Sequence, residues 1–201
     1  GVQTCALPIS KNNVDEFDTA IRLINAAGAQ PIFVIVGAPK WANGSDDHLT
    51  PPTDPNTYAD FFGRFVAHTS AVGSVAAYEV WNEEDAAEFW HGTVGAAQYL
   101  PMLKGSYAAA KRANPAATVL IGPTTGNNAP FIRELYRLGA KGSFDGISVH
   151  PDTACLVFGP DRILRDAPGK SLNQYTLLGY RTIREVQLAN DDPNPRIWMT
   201  E

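Results

Sequence analysis

The sequence predicts an α/β protein built as an incomplete (β/α)8 TIM barrel. Three observations carry this. Five apolar runs of strand length alternate strictly with five helical periods, the pattern of a parallel sheet with crossover helices. The strand starts, near residues 32, 78, 118, 144 and 196, lie 26 to 52 residues apart, against about 30 residues per barrel unit before insertions. No strand is followed by GxGxxG or GxxxxGK[ST], the phosphate turns that announce the rival doubly wound sheet. Five units cannot close a barrel of eight, so further strands are expected before residue 12 and after residue 201.

Residues 1–10 are set apart. "GVQTCALPI" has no helical or strand period and no charged n-region, and it looks like a translated sequencing-adapter oligonucleotide. This leaves 11–201 as a partial barrel domain. With Cys5 set aside, Cys155 stands alone, so neither a disulfide nor a cysteine metal site follows.

The elements then come in order. "NVDEFDTAIRLINAAGA" spaces Val14, Phe17, Ile21, Ile24 and Ala27 by threes and fours, with Gly28 as its stop. "PIFVIVGAP" reads as a strand buried on both faces. Asp54-Pro55 opens a helix, Asp at the N-cap and Pro at N1. Its buried stripe is Tyr58, Phe61, Phe62, Phe65 and Val66. "VAAYEVW" is a strand. A helix follows from about Gly95 to Ala113, bent at Pro101, and then the strand "TVLIG". Asn128-Ala129-Pro130 opens a short helix through Leu138. "FDGISVH" is a strand, 151–172 a long loop, 173–190 a helix and "RIWMT" the last strand.

Composition excludes several classes. The 201 residues are 44% hydrophobic and 18% charged, with net charge −5 and no Lys/Arg run, which argues against nucleic acid or an anionic membrane as partner. No apolar stretch approaches the roughly 20 residues that span a bilayer. "SDDH" at 45–48 reads as solvated loop acids, so no metal and no cofactor are expected. Oligomeric state and localisation stay open, with an extracellular setting among the possibilities.

Polar residues gather after the strands: Lys40 and Trp41; Asn82, Glu83, Glu84 and Asp85; "GPTTGNN"; His150 and Asp152; and Glu201. A parallel barrel brings such strand ends to one mouth. There Glu83 and Glu201 can face each other. Two facing carboxyls, one protonated and one ionised, are the working parts of glycoside hydrolysis. Glu84 or Asp85 could replace Glu83 as the acid. Along "RIWMTE" a regular pleat puts Ile197, Met199 and Glu201 on one face, which is expected to be the inner one. Along "YEVWNEE" it sends Asn82 and Glu83 to opposite sides, so a bend or bulge is expected at Trp81–Glu83.

"YEVWNEE", "ISVHP" and "IWMTE" together resemble the catalytic strands of glycoside hydrolase clan A, in the manner of family 39 or bacterial family 5-like enzymes. The resemblance runs from Asn12 to Glu201 and implies that the five strands are barrel strands three to seven. It implies Glu83 as general acid/base and Glu201 as nucleophile of a retaining double displacement. Asn82 would hold the sugar 2-hydroxyl, and His150 would lie near the nucleophile or sugar hydroxyls. Trp41, Trp81 and Trp90 are candidates for stacking on sugar. Asp152 stands where such sequences often carry Tyr. The alternatives are a non-catalytic carbohydrate-binding barrel and a nucleotide-dependent α/β enzyme. The isolated 201 residues are expected to be inactive and poorly soluble, because unpaired sheet edges would be left open.

Overall fold

The computed structural model describes residues 4–5, 11–151 and 172–201. Six parallel strands form one sheet in the order β1-β2-β3-β4-β5-β6. They are β1 (Thr4–Cys5), β2 (Ile32–Val36), β3 (Ala77–Val80), β4 (Val119–Thr125), β5 (Gly146–His150) and β6 (Arg196–Met199). The helices are α1 (Lys11–Ala26), α2 (Lys40–Asn43), α3 (Pro55–Val72), α4 (Ala96–Ala113), α5 (Ala129–Arg137) and α6 (Tyr180–Ala189). Sequential parallel strands joined by helices make this an incomplete α/β barrel. No helix among the described residues is long and apolar enough to cross a membrane.

Local chemistry sets the element ends as the sequence indicates. The Asp54 carboxylate accepts the Asn56 N–H at 2.9 Å to cap α3, and Asn128 accepts the Phe131 N–H at 3.2 Å to cap α5. Four elements differ from expectation. Thr4–Cys5, inside the segment set apart, pairs with Ile35–Val36. β2 is also not buried along its whole length; Ile35 is 4% exposed and Ile32 37%. Residues 173–179 do not continue α6. Asn173–Thr176 forms a turn and Leu177–Gly179 a 3-10 turn, so the helix starts at Tyr180. The fourth difference is the pleat of β6. Ile197 packs toward the helices and Met199 lines an outer groove with Tyr180 and Arg184. Trp198 and Thr200 face inward instead.

Tyr78, Val80, Val119, Ile121, Ile147 and Val149 form the outer face of the sheet against Phe62, Phe65, Tyr99 and Leu135. The inner face is layered. Leu120 and Trp198 close over Gly146, where a Cβ would meet both side chains. Above them the Glu79 carboxyl lies beside the Ser148 and Thr200 hydroxyls. The strand ends lie one layer higher.

Candidate active site

Strand β3 leaves the sheet abruptly at Val80. Trp81 and Glu83 both adopt left-handed backbone, φ 73° and 47°, at a cost of about 1–3 kcal/mol each. The irregularity expected at Trp81–Glu83 is thus present. Strand β4 answers it with a register shift between Ile121 and Thr124, and the Glu83 N–H donates to Pro123 O at 2.9 Å.

Two tyrosines brace this exit: Tyr58, which the sequence reading placed in a packing stripe, and Tyr99, which it did not single out. Tyr58, from α3, donates its hydroxyl to Ile35 O and accepts the Trp81 N–H at 3.1 Å. Tyr99, from α4, donates to Val80 O at 2.8 Å and accepts the Gly122 N–H at 2.9 Å. Tyr99 thereby bridges the Val80 carbonyl and the Gly122 N–H between β3 and β4, while Tyr58 adds to the bond that the Trp81 N–H still makes to Ile35 O at 3.0 Å. Burial pushes both phenols well above their ordinary range, so both remain donors.

The bend sends consecutive acids in different directions. Glu83 is 7% exposed and faces the mouth of the barrel. Glu84 is wholly buried, and neither of its oxygens is hydrogen-bonded among the described residues. Burial holds its carboxyl well above the usual range, and the charge of Asp85 adds to this. Asp85 spends its oxygens on the Thr125 N–H at 2.9 Å and on Asn128 Nδ2 at 2.6 Å. Of the three adjacent acids, only Glu83 reaches the centre of the site.

There His150, at the end of β5 and 4% exposed, meets it. The His150 Nδ1–H donates to Glu83 Oε1 at 2.8 Å, and Glu201 Oε2 lies 3.0 Å from the same nitrogen. Two acceptors beside one nitrogen place the proton on Nδ1. Burial alone would push the imidazole down. The Glu83 hydrogen bond and the charges of Glu201, Glu83 and Glu79 outweigh it and raise its pKa. Glu79, beneath them, is fully buried, and burial raises its carboxyl. Among the described residues neither Glu79 oxygen completes a hydrogen bond. Nothing in the sequence marked this glutamate, which reads as one letter of an ordinary strand.

Glu83, His150 and Glu201 each offer a donor atom within 4.8 Å of the others. That spacing is one a divalent cation could use, and the His150 Nδ1–H is here given to Glu83. The loop acids at 46–47 serve the loop instead: Asp46 pairs with Lys40 at 2.8 Å, and Asp47 with His91 at 2.5 Å. Asn82 is buried beside Glu83.

The tryptophans separate. Trp81 is 0% exposed and Trp90 3%, their rings edge-to-face at 5.3 Å with Tyr58 and Tyr99 behind them. Their indole N–H groups donate to Phe89 O and Thr93 O. The stacking expected of both is corrected by this burial, since neither ring has a face open to a ligand. Trp41, on α2, is 74% exposed and open. Asp152 lies outside the described residues.

No protein-family description matches the sequence, and no curated protein matches it. Solved structures do. The chain is similar to a monomeric β-xylosidase from Caulobacter crescentus, with 21% identity and TM-score 0.68 over 92% of this chain and 40% of that one. It is similar to a family 39 glycoside hydrolase from Bacteroides cellulosilyticus, with 21% identity and TM-score 0.69 over 98% and 40%. It is also similar to a family 39 enzyme from Xanthomonas axonopodis, with 19% identity and TM-score 0.63 over 92% and 39%. The chain therefore has a family 39-like fold, and it spans about two-fifths of the length of these structures.

Proposed function

We propose that this chain carries the catalytic centre of a retaining glycoside hydrolase, with Glu83 as acid/base and Glu201 as nucleophile. One observation carries the reading: two carboxylates from distant strand ends have oxygens within 4.8 Å, joined through one imidazole nitrogen. Retaining enzymes hold their carboxyls closer together than inverting ones, in which a water must fit between. The closeness here favours retention. The structural neighbours, a β-xylosidase and a family 39 glycoside hydrolase among them, support the coarser reading of a glycosidase.

In the first step a Glu201 oxygen bonds to the anomeric carbon and the glycosidic C–O bond breaks. The departing oxygen takes its proton from Glu83. In the second, Glu83 removes a proton from water, the water oxygen bonds to the anomeric carbon, and the ester to Glu201 breaks. Asn82 accompanies Glu83 at the bend and is the candidate for the 2-hydroxyl. His150 orients both carboxyls.

The test is chemical rescue in the full-length protein with an activated aryl glycoside. Glu83→Ala and Glu201→Ala should each lose about 10²–10⁴-fold in kcat. Azide should restore turnover, giving glycosyl azides of opposite anomeric configuration from the two variants. A wild-type protein that binds saccharide without turnover would identify a non-catalytic carbohydrate-binding barrel instead.

A further inference from the structure

Glu83, His150 and Glu201 leave one acid of the inner face without a task. Glu79 stands within β3, fully buried, in register with Val34 of β2 and Leu120 of β4. Inward positions of a parallel barrel are ordinarily filled by branched apolar side chains, and a buried carboxyl costs stability unless its oxygens find partners.

Its surroundings are specific. Inward side chains of such a barrel pack in layers drawn from alternate strands. Leu120 of β4 and Trp198 of β6 make one layer, over Gly146. Glu79 belongs to the next. It reaches past β4 to lie beside the hydroxyls of Ser148 on β5 and of Thr200 just beyond β6. Glu79 is four residues before Glu83, Ser148 two before His150, and Thr200 one before Glu201. One carboxyl thus lies among the stems of all three members of the site.

The donors and acceptors there close in one way. Ser148 donates its hydroxyl to Ile121 O, so its oxygen is left to accept. Thr200 Oγ1 has no partner among the described residues, so it has a proton to give. A neutral carboxyl meets both needs, with its O–H toward Ser148 and its carbonyl oxygen toward Thr200. An ionised one has no donor and would set a lone pair against the Ser148 oxygen. Burial, which raises the Glu79 carboxyl, favours the same neutral form.

We propose that Glu79 is a positioning residue: it ties the strand that carries Glu83 to the strand end that carries Glu201, and so fixes the gap between the two carboxyls. This rests on Glu83 and Glu201 being the acid/base and the nucleophile. The sheet alone holds that gap poorly. β3 and β6 are not neighbours, and the ladder between them runs through β4, whose pairing with β5 shifts register between Ile121 and Thr124. A misplacement of about 1 Å in such a site costs about 10²-fold in rate.

The test is made in the full-length protein with an activated aryl glycoside. Glu79→Leu keeps bulk and loses both polar atoms; Glu79→Gln keeps a donor and an acceptor. The Leu variant should lose about 10²-fold in kcat with KM within about twofold, and the Gln variant should stay within about threefold of wild type. Thr200→Val should lose about tenfold in kcat and Thr200→Ser should not. Wild-type kcat in Glu79→Leu, or a loss in Glu79→Gln as large as in Glu79→Leu, overturns the tie. If Glu79→Leu does not fold, wild-type kcat in Thr200→Val overturns it. An infrared difference between wild type and Glu79→Gln, read without turnover, should show the loss of a protonated-carboxyl band; loss of a carboxylate band overturns the neutral acid. The underlying reading fails separately: a 2-deoxy-2-fluoro glycoside should label Glu201 in the wild type, and a label elsewhere, or none, overturns the nucleophile assignment itself.

Discussion

Glu83 and Glu201 present carboxylate oxygens within 4.8 Å of each other, and the His150 Nδ1 stands against both. Glu83 is held by left-handed backbone, by the Pro123 carbonyl and by His150. Glu201 follows the end of β6 and meets the same imidazole nitrogen. This gives the imidazole the task of holding the two carboxyls together.

That task depends on charge. The pKa of His150 is raised above its ordinary 6.5, so the folded state holds the proton more tightly than the unfolded state does. The stabilisation is fully present below pH 6.5 and is lost as pH rises through the raised value. Denaturant unfolding at pH 5.5, 6.5, 7.5 and 8.5 should show wild type weakening across this window relative to His150→Asn. Parallel curves would remove the imidazolium from the account.

Glu84 has the opposite character, a carboxyl kept neutral by burial. Its folded pKa lies above the ordinary 4.5, so the unfolded state sheds a proton that the folded state keeps, and stability falls as pH rises above 4.5. Glu84→Gln removes this penalty. Tm should rise at pH 7 by about 2–4 °C for each kcal/mol recovered at this chain length, with no difference at pH 4. Equal Tm values at pH 7 would mean that water reaches the carboxyl.

The strand order and the two glutamates were legible because apolar runs closing on acids follow directly from a buried parallel sheet opening at one end. The face of β6 was not. Alternation gave two choices for "RIWMTE", and only packing showed that Trp198 and Thr200 point inward. Nor could the sequence reveal that Trp81 and Trp90 fill the wall behind the bend, since a tryptophan beside a candidate site carboxyl reads equally as platform or packing. Tyr58 was hidden in a helical stripe and Tyr99 in a helix with no residue singled out, where their rings are ordinary and their hydroxyls carry the information.

Gly122 tests how tightly the bend is built. A Cβ at this position would overlap Val80 O and the Glu84 carboxyl. Glu84 could rotate away, but the β3 carbonyl cannot move without breaking the Tyr99 bracket. Gly122→Ala should therefore cost about 3 kcal/mol, at the upper end of ordinary overpacking, as measured by denaturant unfolding. The double variant Gly122→Ala/Glu84→Ala should recover only part of it. Full recovery would locate the strain in the side chain and not in the strand.

Trp41 separates platform from packing most cleanly. Its ring is 74% exposed, so Trp41→Ala removes little that the fold uses, and stability should stay within about 0.5 kcal/mol. Trp81→Ala, which deletes a fully buried ring, should cost about 3–5 kcal/mol. If Trp41 stacks on sugar, losing about 1 kcal/mol of aromatic contact should raise KM for an oligosaccharide about fivefold with kcat nearly constant. An unchanged KM would make Trp41 a surface residue and move glycone recognition to Asn82 and the loops around it. A fall in kcat as large as the rise in KM would instead show that the ring acts in the transition state, holding the sugar as the bond to Glu201 forms.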